Sequence, residues 1–337
     1  MAEKLIDLAL QGGGAHGAFT WGVLDRLLEE KNLRIDGISG TSAGAMNAVV
    51  LTDGYTKGGS QGAREALEAF WKRVSDAARF SLLQRGPLDV MLGKWSLDYS
   101  PFFITMDILS RVFSPYDLNP LGINPLCDIL TESIDFKRLP QSSIKLFITA
   151  TNVSTGRGKV FRNNEITPEV LLASACLPII FKAVEIKGEH YWDGGYSGNP
   201  TITPLIRECK SQDTILVQIN PVTRPDFPQS AREILNRLNE VSFNAVLLKE
   251  LRMIALLRKL AIPEDCEGGR WAGMRIHRVS TDIMVDLGYS SKLNAEWEFL
   301  LMLRDEGRRS AEEFLKNHAT DIGKRSSFDL DELLEGV

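Results

Sequence analysis

The order of elements predicts an α/β protein built on a mainly parallel sheet. The apolar run 5–10 enters the glycine loop QGGGAHG, and a helical pattern over 18–31 follows, with Phe19, Val23, Leu24, Leu27 and Leu28 on one face. A second apolar run, 34–38, ends in GTSAG, and a further helix-like run, 45–51, follows it. Strand, helix and strand in that order form a βαβ unit, whose strands lie parallel.

The remaining elements follow in turn. Residues 53–62, DGYTKGGSQG, read as a turn-rich surface loop ahead of a helix over 63–79. Residues 80–121 read as irregular, broken by Pro87, Pro101, Pro115 and Pro120, yet apolar enough to cover or line a pocket. A short helix is expected over 125–134, strands over 145–152 (KLFITATN) and 159–162, and a helix over 168–175 that ends before Pro178. Residues 184–186 and 190–192 flank Lys187-Gly188 as a hairpin, and a helix could start after Pro200. Residues 214–219 read as the last core strand. The proline-containing stretch 221–228 then reads as a linker, helices are expected over 230–260 and 291–315, and the acidic tail from 321 is expected to fray. This divides the chain into an α/β domain, 5–220, and a helical extension, 221–337.

Composition narrows the function. The chain has 337 residues, 44% hydrophobic and 25% charged, as in ordinary globular proteins. A net charge of −5 offers no general attraction for nucleic acid or an anionic bilayer, so a nucleic-acid partner is not expected and any membrane contact would be local and apolar. Cys127, Cys176, Cys209 and Cys266 are scattered without a C-x-x-C pair, which speaks against a zinc site or a disulfide framework. The first apolar stretch is too short for a signal sequence, and no run approaches the ~18 apolar residues of a bilayer span. The expectation is a cytoplasmic protein, with peripheral contact at the inner membrane face as an option.

Three short motifs carry the chemistry. In GTSAG, Ser42 sits between Gly40 and Gly44 at a strand-to-helix turn, the pattern of a nucleophile elbow, although a serine that merely caps the helix would look the same. Consecutive glycines Gly12, Gly13 and Gly14 expose backbone N–H groups that could hold an oxyanion. The same loop, as Gly12-x-Gly14-x-x-Gly17 with Asp36 about 20 residues on, also fits a dinucleotide fingerprint and hence an oxidoreductase. Against that, Asp36 lies inside the second strand's run, whose end is GTSAG. The third motif, Asp193-Gly194-Gly195, is a common turn sequence, but Tyr191-Trp192 before it could shield the carboxylate from water. As base for Ser42, His277 would complete a Ser–acid–His order, but only two strands precede the serine. The other option is Asp193 itself, with burial raising its pKa.

Together, QGGGAHG, GTSAG and DGG in this order resemble the patatin-like phospholipase family, and KLFITATN and the run 173–178 (ASACLP) are similar to its pattern. The resemblance covers about 5–220. It implies a three-layer α/β/α fold, a Ser42–Asp193 dyad, an oxyanion loop of Gly12, Gly13 and Gly14, and hydrolysis of lipid acyl esters with no metal or organic cofactor. One position departs: His16 stands where the family's loop usually carries Arg or Lys. A non-catalytic lipid-binding protein is a further reading, opposed by the intact Ser42 and Asp193. The helix over 230–260 is expected to pack on the domain or a second subunit in a homo-oligomer, or to dock on membrane with Arg252, Arg258 and Lys259 near headgroups.

Overall fold

Alternating strand residues that are all apolar must be covered on both faces, and here they are. The computed structural model describes residues 3–79, 81–260, 263 and 265–334. The chain opens with β1 (Lys4–Leu10), α1 (Gly17–Leu27), β2 (Leu33–Gly40) and α2 (Ala43–Ala78). It continues through α3 (Pro87–Met91), α4 (Pro101–Leu109), α5 (Pro115–Leu118) and α6 (Leu126–Ser133) to β3 (Lys145–Asn152), β4 (Gly158–Arg162) and α7 (Pro168–Ser174). Then come β5 (Val184–Ile186), β6 (Glu189–Asp193), α8 (Thr203–Glu208) and β7 (Asp213–Val217). The C-terminal region holds α9 (Ala231–Arg258), α10 (Glu267–Ala272), β8 (Arg275–Val279), α11 (Ile283–Asp286) and α12 (Trp297–His318).

Among the described residues the strands form one sheet in the order β5-β6-β3-β2-β1-β7-β8, with β4 on the other edge of β3. The run from β3 through β2, β1 and β7 to β8 is parallel, and β4, β5 and β6 are antiparallel additions. Leu8, Leu10, Ile38, Ile148, Ile215 and Val217 face a core closed by α1, α2, α7 and α12. Their neighbours Ala9, Phe147 and Leu216 face a second core closed by α8 and α9. The period-2 alternation thus feeds two helical layers, giving the expected α/β/α sandwich with a mainly helical C-terminal region. The C-terminal helix α12 lies against α1 at glycine contacts: a Cβ on Gly22 would overlap the Arg304 carbonyl, and one on Gly307 the Phe19 carbonyl.

Several expectations change. Residues 53–62 are helix, not loop. Helical geometry fails at Gly58 and Gly59, where α2 kinks and resumes, and Asp53 is fixed by Arg138 at 2.7 and 3.0 Å. Glycines that suggested a loop mark a kink instead. In the stretch 80–121 (Phe80 lies outside the described residues), Pro87, Pro101 and Pro115 start α3, α4 and α5. Proline suits the first helical turn because its missing N–H has no partner there anyway. Strand β7 is not the last: β8 pairs parallel to it from Asp213↔Arg275 to Val217↔Val279. The helix expected from 291 begins at Trp297, after a 3₁₀ turn at Tyr289–Leu293. The tail does not fray through residue 334. Ile322 and Leu330 are buried, Phe328 N–H donates to the Ile276 carbonyl at 3.2 Å, and Arg252 donates to the Leu333 carbonyl at 2.8 Å. Residues 335–337 lie outside the described residues. Lys259 pairs with Asp331 at 3.4 Å and Arg258 reaches Ser326, so the cations expected near headgroups instead hold this tail.

Candidate active site

The sheet register brings Ser42 and Asp193 together. Strands β2 and β6 lie end to end along one edge of β3. Gly40 pairs with Ile148, and two residues further on Asp193 pairs with Ala150. The turn leaving β2 therefore meets the end of β6.

Ser42 sits in that turn at φ 54° and ψ −123°. A non-glycine residue at positive φ is strained by roughly 1–3 kcal/mol, and the surroundings must hold it there. They do so through hydrogen bonds. Ser42 N–H donates to Ser174 Oγ at 2.9 Å, and that hydroxyl donates to the Thr149 carbonyl at 2.7 Å. Gly44 N–H donates to the Thr41 carbonyl at 2.8 Å, and Thr41 Oγ1 to the Gly198 carbonyl at 2.7 Å. Gly40 and Gly44 pack backbone to backbone across the turn. Gly17 packs on Ala43 and Trp71, so it positions α1 against the turn.

Asp193 is 1% exposed. Its Oδ1 accepts the Gly195 N–H at 2.7 Å, and the Ser42 side chain lies near enough to its carboxylate to favour the ionised form. Burial pushes its pKa up to about 7, with the Gly195 hydrogen bond, the nearby Ser42 hydroxyl and the Lys292 charge pulling the other way. Gly194 lies against the Thr149 carbonyl, and Phe243 of α9 covers Gly195. The C-terminal region thus shields the carboxylate, a role its sequence did not advertise.

The glycine loop faces this pair: a Cβ on Gly12 would lie 2.6 Å from Ser42 Cβ. One expectation is corrected. Gly12 N–H donates to Asn199 Oδ1 at 2.6 Å, so that donor is committed inside the protein. The N–H groups of Gly13 and Gly14 have no partner among the described residues. Gln11 fixes the loop's base, donating to Asn244 Oδ1 at 3.0 Å and accepting from Ile219 and Asn220 N–H at 3.0 and 2.9 Å.

None of the four histidines is hydrogen-bonded to Ser42 or Asp193. His16 Nε2 contacts Ser291 Oγ at 2.7 Å and is held neutral, by burial first and then by Lys292. His277 lies between Asp213 (3.1 Å) and Ser327 (3.0 Å), His318 contacts Asp321 at 3.0 Å, and His190 is exposed on β6. Asp36 is the extra residue of a bulge between β1 and β2. Its carboxylate binds Lys145 at 3.3 Å and the Lys210 and Ser211 N–H groups, not an open groove where a ribose could reach it. Asp36 also joins Asp7 and Cys209 in a cluster with metal-ligand spacing on the amino side of the site, where burial first raises Asp7 to about 8 and so keeps it neutral. Asn199, Ser174, Gln11 and Lys292 were missed by sequence reasoning. Gln11 and Ser174 stood inside quoted motifs without a role, and Lys292 carried no local signal.

Fold and site define a three-layer α/β/α protein with a strained serine on a strand–helix elbow. The description "Patatin-like phospholipase" matches residues 8–206, and the chain belongs to that family, whose members are lipid acyl hydrolases. Among solved structures, VipD from Legionella pneumophila is similar at 17% identity and a TM-score of 0.40, over 94% of this chain and 67% of that one. The comparison with curated proteins returns no match.

Proposed function

We propose that the protein is a serine acyl hydrolase that cleaves lipid acyl esters in the manner of a phospholipase A or lysophospholipase. The observation that carries this is the strained Ser42 on its elbow brought beside the buried Asp193 carboxylate by the register of β2 and β6 on β3, facing a glycine loop whose Gly13 and Gly14 N–H groups have no partner among the described residues. Ser42 Oγ attacks the acyl carbonyl carbon as its proton passes to Asp193. The Gly13 and Gly14 N–H groups hold the oxyanion. Collapse expels the alcohol, which takes the proton from Asp193. Water then attacks the acyl-enzyme, Asp193 accepts its proton, and that proton returns to Ser42 as the fatty acid leaves. In the test, phosphatidylcholine vesicles are incubated with the protein and the products weighed by mass spectrometry. Free fatty acid with lysolipid is expected, and none with Ser42→Ala. Equal release by both proteins would remove Ser42 from the reaction.

An apolar surface supports a lipid substrate. Val90, Met91 and Leu92 at the end of α3, Val112 and Phe113 after α4, and Leu121 and Ile123 are all exposed. No helix among the described residues is long and apolar enough to cross a membrane. We infer that this segment meets the lipid surface, its apolar groups leaving water on contact. Val112→Asp is expected to lower vesicle turnover about tenfold, since a charge there opposes insertion, and to leave a soluble short-chain ester unaffected. Equal losses on both substrates would place the effect in the fold instead.

A further inference from the structure

The glycine loop QGGGAHG holds no lysine or arginine and its His16 is kept neutral by burial, and the chain brings a cation to it from elsewhere. The 3₁₀ turn Tyr289–Leu293 lies beyond the residues that match the family, yet it grips the loop at three points. Ser291 Oγ meets His16 Nε2 at 2.7 Å. The Lys292 carbonyl packs on Gly14, which holds φ 58°, so that any Cβ there would overlap it. Lys292 Nζ donates to Asn220 Oδ1 at 2.8 Å, and Asn220 Nδ2 donates to the Gly12 carbonyl at 2.8 Å. The flanks of the turn are tied to the apolar segment: Leu97 N–H donates to Ser290 Oγ at 3.0 Å, and Asn294 Nδ2 to the Trp95 carbonyl at 3.0 Å.

Resting on the hydrolase reading, we propose that Lys292 is a positioning residue that supplies the counter-charge of the oxyanion loop. One negative charge stays in the site throughout the reaction. It rests on Asp193 at first and moves to the oxyanion when the Ser42 proton reaches Asp193. A fixed cation beside the loop stabilises that charge at its second location, where the solvent that would otherwise do so is shut out. Asn220 couples the ammonium to the Gly12 peptide, and the Lys292 carbonyl sets the twist of Gly14, so the same residue aims the Gly13 and Gly14 donors.

The charged and titratable groups facing Lys292 are Glu240 of α9, Arg224 of the preceding loop, Asp193, His16, and Tyr289 of its own turn. Glu240 is itself held by Arg224 (2.6 Å) and Arg237 (3.2 Å). Desolvation outweighs Glu240's attraction and brings Lys292 down to about 8, so the cation is present at neutrality and lost as pH rises further. Activity that needs it therefore falls through about pH 8.

The test measures kcat and KM on a soluble short-chain ester from pH 5 to 10 for wild type, Lys292→Met and Lys292→Arg. Lys292→Met is expected to lower kcat about tenfold or more at pH 7 with KM within about twofold, and to lose the alkaline decline. Lys292→Arg is expected to recover most of kcat and, since guanidinium stays charged, to move the decline beyond pH 10. Wild-type kcat in Lys292→Met, an arginine variant no better than methionine with an unshifted limb, or a wild-type profile flat to pH 10 would each overturn the proposal. Should the methionine variant not fold, the wild-type and arginine profiles decide. An inert wild type, or a Ser42→Ala variant that retains turnover, would instead overturn the hydrolase reading on which this rests.

Discussion

Ser42→Ala is expected to abolish labelling by a fluorophosphonate probe and to lower ester turnover by about 10³-fold or more, since loss of a nucleophile leaves only oxyanion stabilisation and binding. Ser42→Gly should do the same to activity but act differently on stability. Glycine adopts φ 54° without a Cβ penalty, whereas serine and alanine do not. The glycine variant should therefore melt higher than wild type, by an amount corresponding to roughly 1 kcal/mol. The alanine variant keeps the strain and should melt close to wild type. A glycine variant that melts no higher would mean that the turn is not strained, and labelling that persists in either variant would move the nucleophile elsewhere. The combination separates a serine retained for chemistry from one retained to build the turn, because a turn-building residue would be better as glycine.

The parts legible in sequence were those set by local pattern. Strand β3 matched its expected ends, the βαβ opening was read correctly, and the alternation of Leu8, Ala9 and Leu10 is what covers the sheet on two faces. Glycine and proline were misread where their role depends on context. Gly58 and Gly59 kink a helix that their flanking residues continue, and Pro87, Pro101 and Pro115 start helices. The tail was misread because its apolar residues, Ile322, Phe328 and Leu330, stand singly among charges, and only the fold gives them a place, Phe328 and Leu330 beside α9 and β8 and Ile322 in the core closed by α12. Ser42, Asp193 and the loop glycines were picked out by their motifs, but the residues that hold them in place carried no signal of that role, even where, as with Ser174, they stood in a quoted run. Asn199 commits the Gly12 amide, Ser174 holds the Ser42 amide, and Phe243 covers Gly195, each across a large gap in sequence. Such contacts are products of topology and leave no spacing to read.

Asp193→Asn tests the base and couples activity to stability. The carboxylate acts as base only when ionised, so wild-type kcat should rise with pH through about 7 and be low below about 6. Asparagine can still accept the Gly195 N–H through its Oδ1, so the turn is expected to persist while turnover falls by about 10²–10⁴-fold and the acid limb vanishes. The sign of the stability effect follows from linkage. Burial, the largest cause, raises the folded-state pKa to about 7, above the usual 3.8, so between those values the folded state binds the proton that the unfolded chain releases. Stability from this group is complete below about pH 4 and is lost as pH rises through about 7. The ionised base therefore destabilises the fold at neutrality, by an amount on the order of a few kcal/mol. Asp193→Asn removes that penalty, so it should melt above wild type at pH 8 and near it at pH 4, as read by thermal denaturation at both values. A variant that melts lower at pH 8, with full activity retained, would show that the carboxylate is an ordinary stabilising group and not a buried base.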